Sequence, residues 1–226
     1  MYLIFSAILP VLLVIIYIYT NDKHEKEPKR LLFYNFLFGA ILSIIITTLL
    51  YIIIGIPLPL QNHTSVFEQF IKAFFVVGLT EEFSKYIIVR YYAQPREEFN
   101  EPYDGIVYSV MVSMGFAATE NLMYVLQGGF GTAFLRAFTA VPAHATFAIL
   151  MGFFMGKAKF SNNKAFWNLT GLFLAVLFHG SYDFFLFIDF IPGIWIGAFV
   201  SLIIGLILAK KAIKRHQFNS HFKKDR

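Results

Sequence analysis

Residues 31–55 read LLFYNFLFGAILSIIITTLLYIIIG, a run without a single Asp, Glu, Lys, Arg or His. A helix needs about 20 apolar residues to cross roughly 30 Å of hydrocarbon. This run is long enough, and it decides the fold class. The rest of the chain agrees with it. Hydrophobic residues make up 58% of the 226 positions and charged residues only 15%, against about 45–50% and about 25% in soluble domains. One water-soluble core of this size does not hide that much apolar surface, whereas lipid does.

Working outward, six further apolar stretches flank this one, at about 2–20, 70–92, 104–126, 134–155, 166–188 and 192–210. The chain therefore reads as an all-α polytopic membrane protein, a bundle of about seven transmembrane helices. Residues 1–210 form one membrane domain, and 211–226 form a basic tail. A short helix within 56–69, from Val66 onward, is expected to lie on the outer surface. No repeat and no low-complexity tract is visible.

Charge sets the orientation. All the Lys and Arg residues except Lys72, Lys85 and Arg136 fall in alternate connections or the tail, in segments 21–30, 90–103, 156–165 and 210–226. The connections at 56–69, 127–133 and 189–191 carry none. The positive-inside rule places the N-terminus outside and the tail in the cytoplasm. The first span lacks a basic region before its apolar run, so it is not a cleaved signal peptide. The formal charge of +5 requires no nucleic acid, because anionic lipid is a sufficient partner for the tail. The absence of cysteine excludes disulfides, thiolate metal sites and a cysteine nucleophile.

Ionisable groups in hydrocarbon are costly and mark a functional interior. The third span holds Glu81, Glu82 and Lys85, the fourth Glu120 beside Asn121, the fifth His144, and the sixth His179 and Asp183. Residues four apart share a helix face. Small residues continue those faces, as in Ala140, His144, Ala148 and Gly152, or Gly171, Ala175, His179 and Asp183. Small residues let membrane helices approach closely, so the polar groups face one another. Their depths match to within roughly 3 to 9 Å, at about 1.5 Å per residue. One polar cavity at mid-membrane, open toward the exterior, is expected. Pro142 lacks an N–H and its ring opposes the Phe138 carbonyl, which predicts a helix irregularity there. Arg136 reads as a snorkelling end residue, Lys72 as interfacial, and Asp104 as an N-cap.

Acids paired with histidines suit general acid–base hydrolysis. Neither G-x-S-x-G nor H-E-x-x-H occurs, so serine hydrolases and the common zinc proteases are not indicated. Two alternatives stand beside a protease. One is a metal-dependent hydrolase with zinc at Glu81, His144 and His179. The other is a proton-coupled transporter using Glu81, Glu120 and His179 as a relay; inverted repeats, a common mark of transporters, are not apparent.

The ordered motifs are Glu27-Pro28, Glu81-Glu82-x-x-Lys85, Tyr103-Asp104-Gly105-Ile106-Val107-Tyr108, Phe116-x-x-x-Glu120-Asn121, His144 ahead of Met151-Gly152, Gly156-Lys157-Ala158, and His179-Gly180-Ser181-Tyr182-Asp183. In this order and spacing the chain resembles the PrsW-type intramembrane proteases, relatives of the CAAX-processing and bacteriocin-immunity superfamily. The resemblance implies a glutamate-dependent protease of the bacterial plasma membrane. Its implied partner is a single-span anti-sigma factor, cut first on the external side to release an extracytoplasmic-function sigma factor under envelope stress. By the same analogy Glu81 or Glu82 activates water, His144 assists the water or the carbonyl, and His179 with Asp183 serves the oxyanion. Glu120 stands where CAAX relatives often have histidine. Asp183 replaces the usual Asn; an ionised Asp cannot donate to an oxyanion, so it is read as orienting His179. Lys85 and Asn121 are supporting residues. No cofactor is expected, with zinc as the alternative.

Overall fold

A computed structural model describes residues 2–55, 58, 60–220 and 222. Among these residues every regular element is helical. Helix α1 is Tyr2–Asn21. Helix α2 runs without interruption through Lys29–Phe38, Gly39–Ser43 and Ile44–Gly55. Helix α3 runs through Val66–Ile71, Lys72–Gly78, Leu79–Ile88 and Val89–Ala93. Then come α4, Asp104–Phe138; α5, Ala140–Lys159; α6, Lys164–Phe187; and α7, Ile196–Phe218.

Five helical stretches among the described residues are long and apolar enough to cross a membrane: Tyr2–Asn21, Lys29–Ile54, Asp104–Lys159, Lys164–Phe187 and Ile196–Phe218. Helix α3 is not among them. Its central Glu81, Glu82 and Lys85 break the apolar run that length alone would supply. The stretch Asp104–Lys159 is counted once although it turns back on itself. Gly129 has φ 73°, a conformation that costs a side chain dearly and glycine little. Beyond it the chain returns along α4, so that Arg136 meets Asn121 and the Ser113 hydroxyl meets the His144 carbonyl.

Helices α4 and α5 form the centre. Residues 104–118 of α4 are buried around the whole helix, the pattern of a helix enclosed by others. Helices α1, α2 and α5 pack on α4, and α6 and α7 pack on α5. Helix α3 closes the bundle between α2 and α6. The α4–α5 contact is tight because both partners are small: a Cβ on Gly105 would run into the carbonyl of Gly152. The outward faces carry exposed Leu13, Ile53, Phe134, Phe173 and Ile203, which suits lipid contact.

Three sequence expectations change. The helix beginning at Val66 is no separate surface element but the first turns of α3, capped where the Ser65 hydroxyl accepts the Glu68 N–H; Ile56, Pro57 and Pro59 of the same segment lie outside the described residues. The connection at 127–133 is not a loop, because Gly129 is the one non-helical residue within Asp104–Phe138. Asp104 does not cap its helix. Its Oδ2 instead accepts the N–H groups of Asn100 and Glu101, both at 2.7 Å, and so fixes the preceding turn. The irregularity expected near Pro142 is present. Thr139 leaves helical geometry at φ −121°, ψ −79°, next to the Phe138 carbonyl that the proline ring opposes.

Candidate functional site

Helix α3 supplies the acids. Between Lys72 and Gly78 it widens into a π-helical turn, a feature frequent at functional sites. Gly78 there lies close to the backbone of Gly180 in α6. On its other side α3 is tied to α2 by hydroxyls: Thr47 donates to Ser84 Oγ at 2.9 Å, and Ser43 Oγ stands 2.5 Å from it. These contacts hold Glu81, Glu82 and Lys85 at fixed rotation. All three are buried.

Lys85 is the internal cation. Its Nζ donates to Glu82 Oε1 at 2.7 Å and stands 3.5 Å from Glu81 Oε2. It also lies 3.3 Å from His144 Nδ1 and 4.2 Å from the centre of the Phe116 ring. An ammonium only donates, so Nδ1 of His144 is the acceptor in that contact. The ring proton then sits on Nε2, which donates to Glu120 Oε2 at 2.9 Å. Glu120 is also held by Arg136, Nη2 to Oε2 at 2.7 Å. Arg136 Nε donates to Asn121 Oδ1 at 2.6 Å, and Asn121 Nδ2 to the Ala7 carbonyl at 2.7 Å. Arg136 is therefore no free snorkelling residue. It is the second cation of the site, and Asn121 ties it to α1.

His179 stands between carboxylates. Its Nδ1 is 2.9 Å from Glu82 Oε1, and its Nε2 is 3.3 Å from Asp183 Oδ2 and 4.0 Å from Glu81 Oε2. Phe147 stacks on its ring at 4.9 Å. The two histidine rings lie edge to face at 5.5 Å. All six residues read as catalytic from the sequence thus fall into one connected cluster, with Lys85 inside it and Asn121 at its edge. Glu120 engages Arg136 and His144 within hydrogen-bond distance rather than Lys85.

A cavity of about 480 Å³ opens onto this cluster. Glu81, Glu120, His144, His179 and Asp183 line it, and Glu82 and Lys85 lie behind the lining. Its outer wall includes Lys72, Arg136 and Phe187, so it opens toward the end of the bundle that lacks the Lys-rich connections. Lys72 belongs to this wall, with its Nζ 4.9 Å from the centre of the Phe187 ring. A lining residue that bonds the acid pair escaped the sequence reading: Tyr51 of α2 donates from its hydroxyl to Glu81 Oε1 at 2.9 Å. Glu81 Oε2 has no hydrogen-bond partner. A carboxylate oxygen without a hydrogen bond beside a polar cavity, with the Lys85 ammonium 3.5 Å away and an imidazole at 4.0 Å, can take a proton from water.

The donor set also fits a metal ion. One ligand atom from each of Glu81, Glu82, His144 and His179 lies within 4.8 Å of the others. Each histidine turns its Nε2 toward a further carboxylate, Glu120 or Asp183, as in carboxylate–histidine–zinc arrangements.

The family model described as PrsW family intramembrane metalloprotease matches residues 27–209. Among curated relatives, the Protease PrsW of Geobacillus kaustophilus is 38% identical over 199 residues, covering 88% of this chain and 85% of its own. That of Oceanobacillus iheyensis is 41% identical over 182 residues, 80% and 81% of the two chains. That of Bacillus subtilis is 36% identical over 189 residues, 82% and 84%. No solved structure matches the chain.

Proposed function

The chain belongs to the PrsW family, a family of intramembrane proteases of the bacterial cell membrane, and from that premise we propose that it hydrolyses a peptide bond with water activated by Glu81. The observation that carries this reading is that Glu81 lines the cavity with Oε1 held by Tyr51 and Oε2 in no hydrogen bond, its nearest cation being Lys85 Nζ at 3.5 Å. Glu82 Oε2 also lacks a hydrogen bond, but Glu82 does not line the cavity and its Oε1 is held by Lys85 and His179, which argues for Glu81 as the base of the pair.

In this mechanism Glu81 takes a proton from water as the water oxygen bonds to the scissile carbonyl carbon. The carbonyl oxygen gains charge and meets His179 Nε2–H, a proton it shares with Asp183 Oδ2 at 3.3 Å. Glu82 and Asp183 hold the ring on either side. Such preorganised donors are worth most in a site that excludes water. The carbon–nitrogen bond then breaks, and Glu81 returns its proton to the leaving amine. His144, kept in one tautomer by Lys85 and Glu120, lines the cavity and positions both of them beside the water. Arg136 keeps Glu120 in place.

The substrate proposed is a single-span membrane protein, an anti-sigma factor cut first on its external side to activate an extracytoplasmic-function sigma factor. The proposed topology, seven crossings with the N-terminus outside and the basic tail inside, puts the cavity mouth on that side. The same polarity follows from the basic residues at the opposite end.

A second reading has one observation in its favour, the four convergent ligand atoms. In it Glu82, His144 and His179, with Glu81, would hold zinc, which when bound supplies Lewis-acid polarisation of a carbonyl or of water.

Co-reconstitution of the purified chain with a single-span anti-sigma factor in liposomes tests the proposal. Wild type is expected to yield one external cut, and Glu81→Gln none while still folding. Cleavage by Glu81→Gln at the wild-type rate removes Glu81 from the mechanism. Cleavage of other single-span proteins but of no anti-sigma factor removes the substrate.

A further inference from the structure

At the opposite end of the bundle from the hydrolytic cavity lies a second hollow of about 640 Å³, between the ends of α5 and α7 and the start of α6. Lys157, Arg215, His216 and Trp167 line it. Lys157 Nζ sits 3.3 Å above the centre of the Trp167 ring. Neither Lys157 nor Arg215 is paired with an acid among the described residues. No Asp or Glu lines the hollow. Two cations are thus gathered without a counter-charge.

His216 adds a more specific signal. It is buried, stacks on Phe153 at 4.1 Å, and stands with Nε2 2.7 Å from the Phe153 carbonyl. A carbonyl only accepts, so Nε2 carries the proton and Nδ1 is the acceptor of the neutral ring. That Nδ1 is buried and has no partner. A buried polar atom without a partner calls for a ligand or water to satisfy it.

We propose that this hollow is a binding site for the headgroup of an anionic phospholipid carrying hydroxyl groups, of the phosphatidylglycerol type. The phosphate lies between Lys157 and Arg215, and a headgroup hydroxyl donates to His216 Nδ1. Trp167 and Phe154 give the glycerol backbone an aromatic wall, in keeping with the place of tryptophan at membrane interfaces. The basic end of a helical bundle is where anionic headgroups are met. A free phosphate shares the charge but offers no chain to follow the apolar α6–α7 surface.

The test uses the full chain in a neutral detergent, with binding followed by native mass spectrometry and by thermal unfolding. Phosphatidylglycerol is expected to give one retained adduct and a raised Tm. Phosphatidylcholine and inorganic phosphate are expected to give neither. Lys157→Gln with Arg215→Gln weakens phosphatidylglycerol binding roughly 30-fold, as two lost surface cations imply. Equal binding of phosphatidylcholine overturns the charge recognition. A Tm rise with inorganic phosphate alone makes the site one for a free anion and overturns the lipid. Should the double variant misfold, a photoactivatable phosphatidylglycerol on wild type decides. Adducts at 153–167 and 215–219 support the site, and adducts elsewhere only overturn it.

Discussion

The Tyr51 hydroxyl donates to Glu81 Oε1 at 2.9 Å, joining α2 to the acid pair of α3. The contact orients one carboxylate oxygen and leaves the other without a hydrogen bond, the oxygen proposed to act on water. A hydrogen bond to a charged group contributes about 1.5–3 kcal/mol, so Tyr51→Phe is expected to lower kcat by roughly tenfold or more. KM should stay near wild type, because Tyr51 acts on Glu81 and not on the substrate. A rise in KM with unchanged kcat would move Tyr51 to substrate binding.

Glu82 has a different part. It bonds Lys85 at 2.7 Å and His179 at 2.9 Å, and it lies behind the cavity wall. Glu82→Gln leaves the buried ammonium with Glu81, at 3.5 Å, as its one anionic partner among the described residues. Breaking a buried pair from one side costs roughly 3–5 kcal/mol. The variant is expected to lose both cleavage and thermal stability, while Glu81→Gln loses cleavage with a smaller fall in Tm. Equal Tm for the two variants would contradict this division of roles.

The contrast between these residues bears on what the sequence made legible. The cost of charge in hydrocarbon singled out Glu81, Glu82, Glu120, His144, His179 and Asp183, and helical spacing turned them to one interior. Tyr51 escaped because a phenol in an apolar run carries no such cost and looks like any lipid-facing aromatic. Arg136 was misjudged because its depth is visible in the sequence and its partners are not. Glu120 and Asn121 reach it only because Gly129 folds the chain back after a single residue. The apolar runs of α1, α2, α6 and α7 were plain, since hydrocarbon thickness sets helix length. Helix α3 was harder to delimit, because Glu81, Glu82 and Lys85 interrupt the apolar signal that marks a span.

Acids on the basic side predict a pH dependence of stability. In the connection between α1 and α2, burial and then the nearby Glu101 push Asp22 up to about 7. Burial and then the Asp104 carboxyl push Glu27 up to about 11. Both folded values lie above the unfolded ones, so the folded chain holds these protons more tightly. Their contribution is complete below the ordinary values of 3.8 and 4.5. The Asp22 part is lost as pH rises through about 7, and the Glu27 part continues to fall toward about 11. The detergent-solubilised chain should therefore melt at a lower temperature at alkaline than at mildly acidic pH. Asp22→Asn should flatten the part of that slope below neutrality. A Tm that rises with pH over this range would refute the assignment.

Metal removal separates the two readings of the site. His144 offers Nδ1 inward because its Nε2 is given to Glu120, and this tautomer serves Lys85 and a zinc ion equally well. What divides them is Lys85 itself, a buried cation already bonded to Glu82 and 3.3 Å from His144 Nδ1. A divalent ion among the same atoms would stand against that ammonium, and like charges at such range repel strongly in a low-dielectric site. The arrangement with Lys85 in place is expected to purify without stoichiometric zinc and to keep its cleavage rate through 1,10-phenanthroline. Lys85→Met should then abolish cleavage, because Glu82 and His144 lose their shared donor. One zinc per chain by elemental analysis, with activity lost to the chelator and restored by zinc, would hand the water to the metal and leave Lys85 a neutral neighbour.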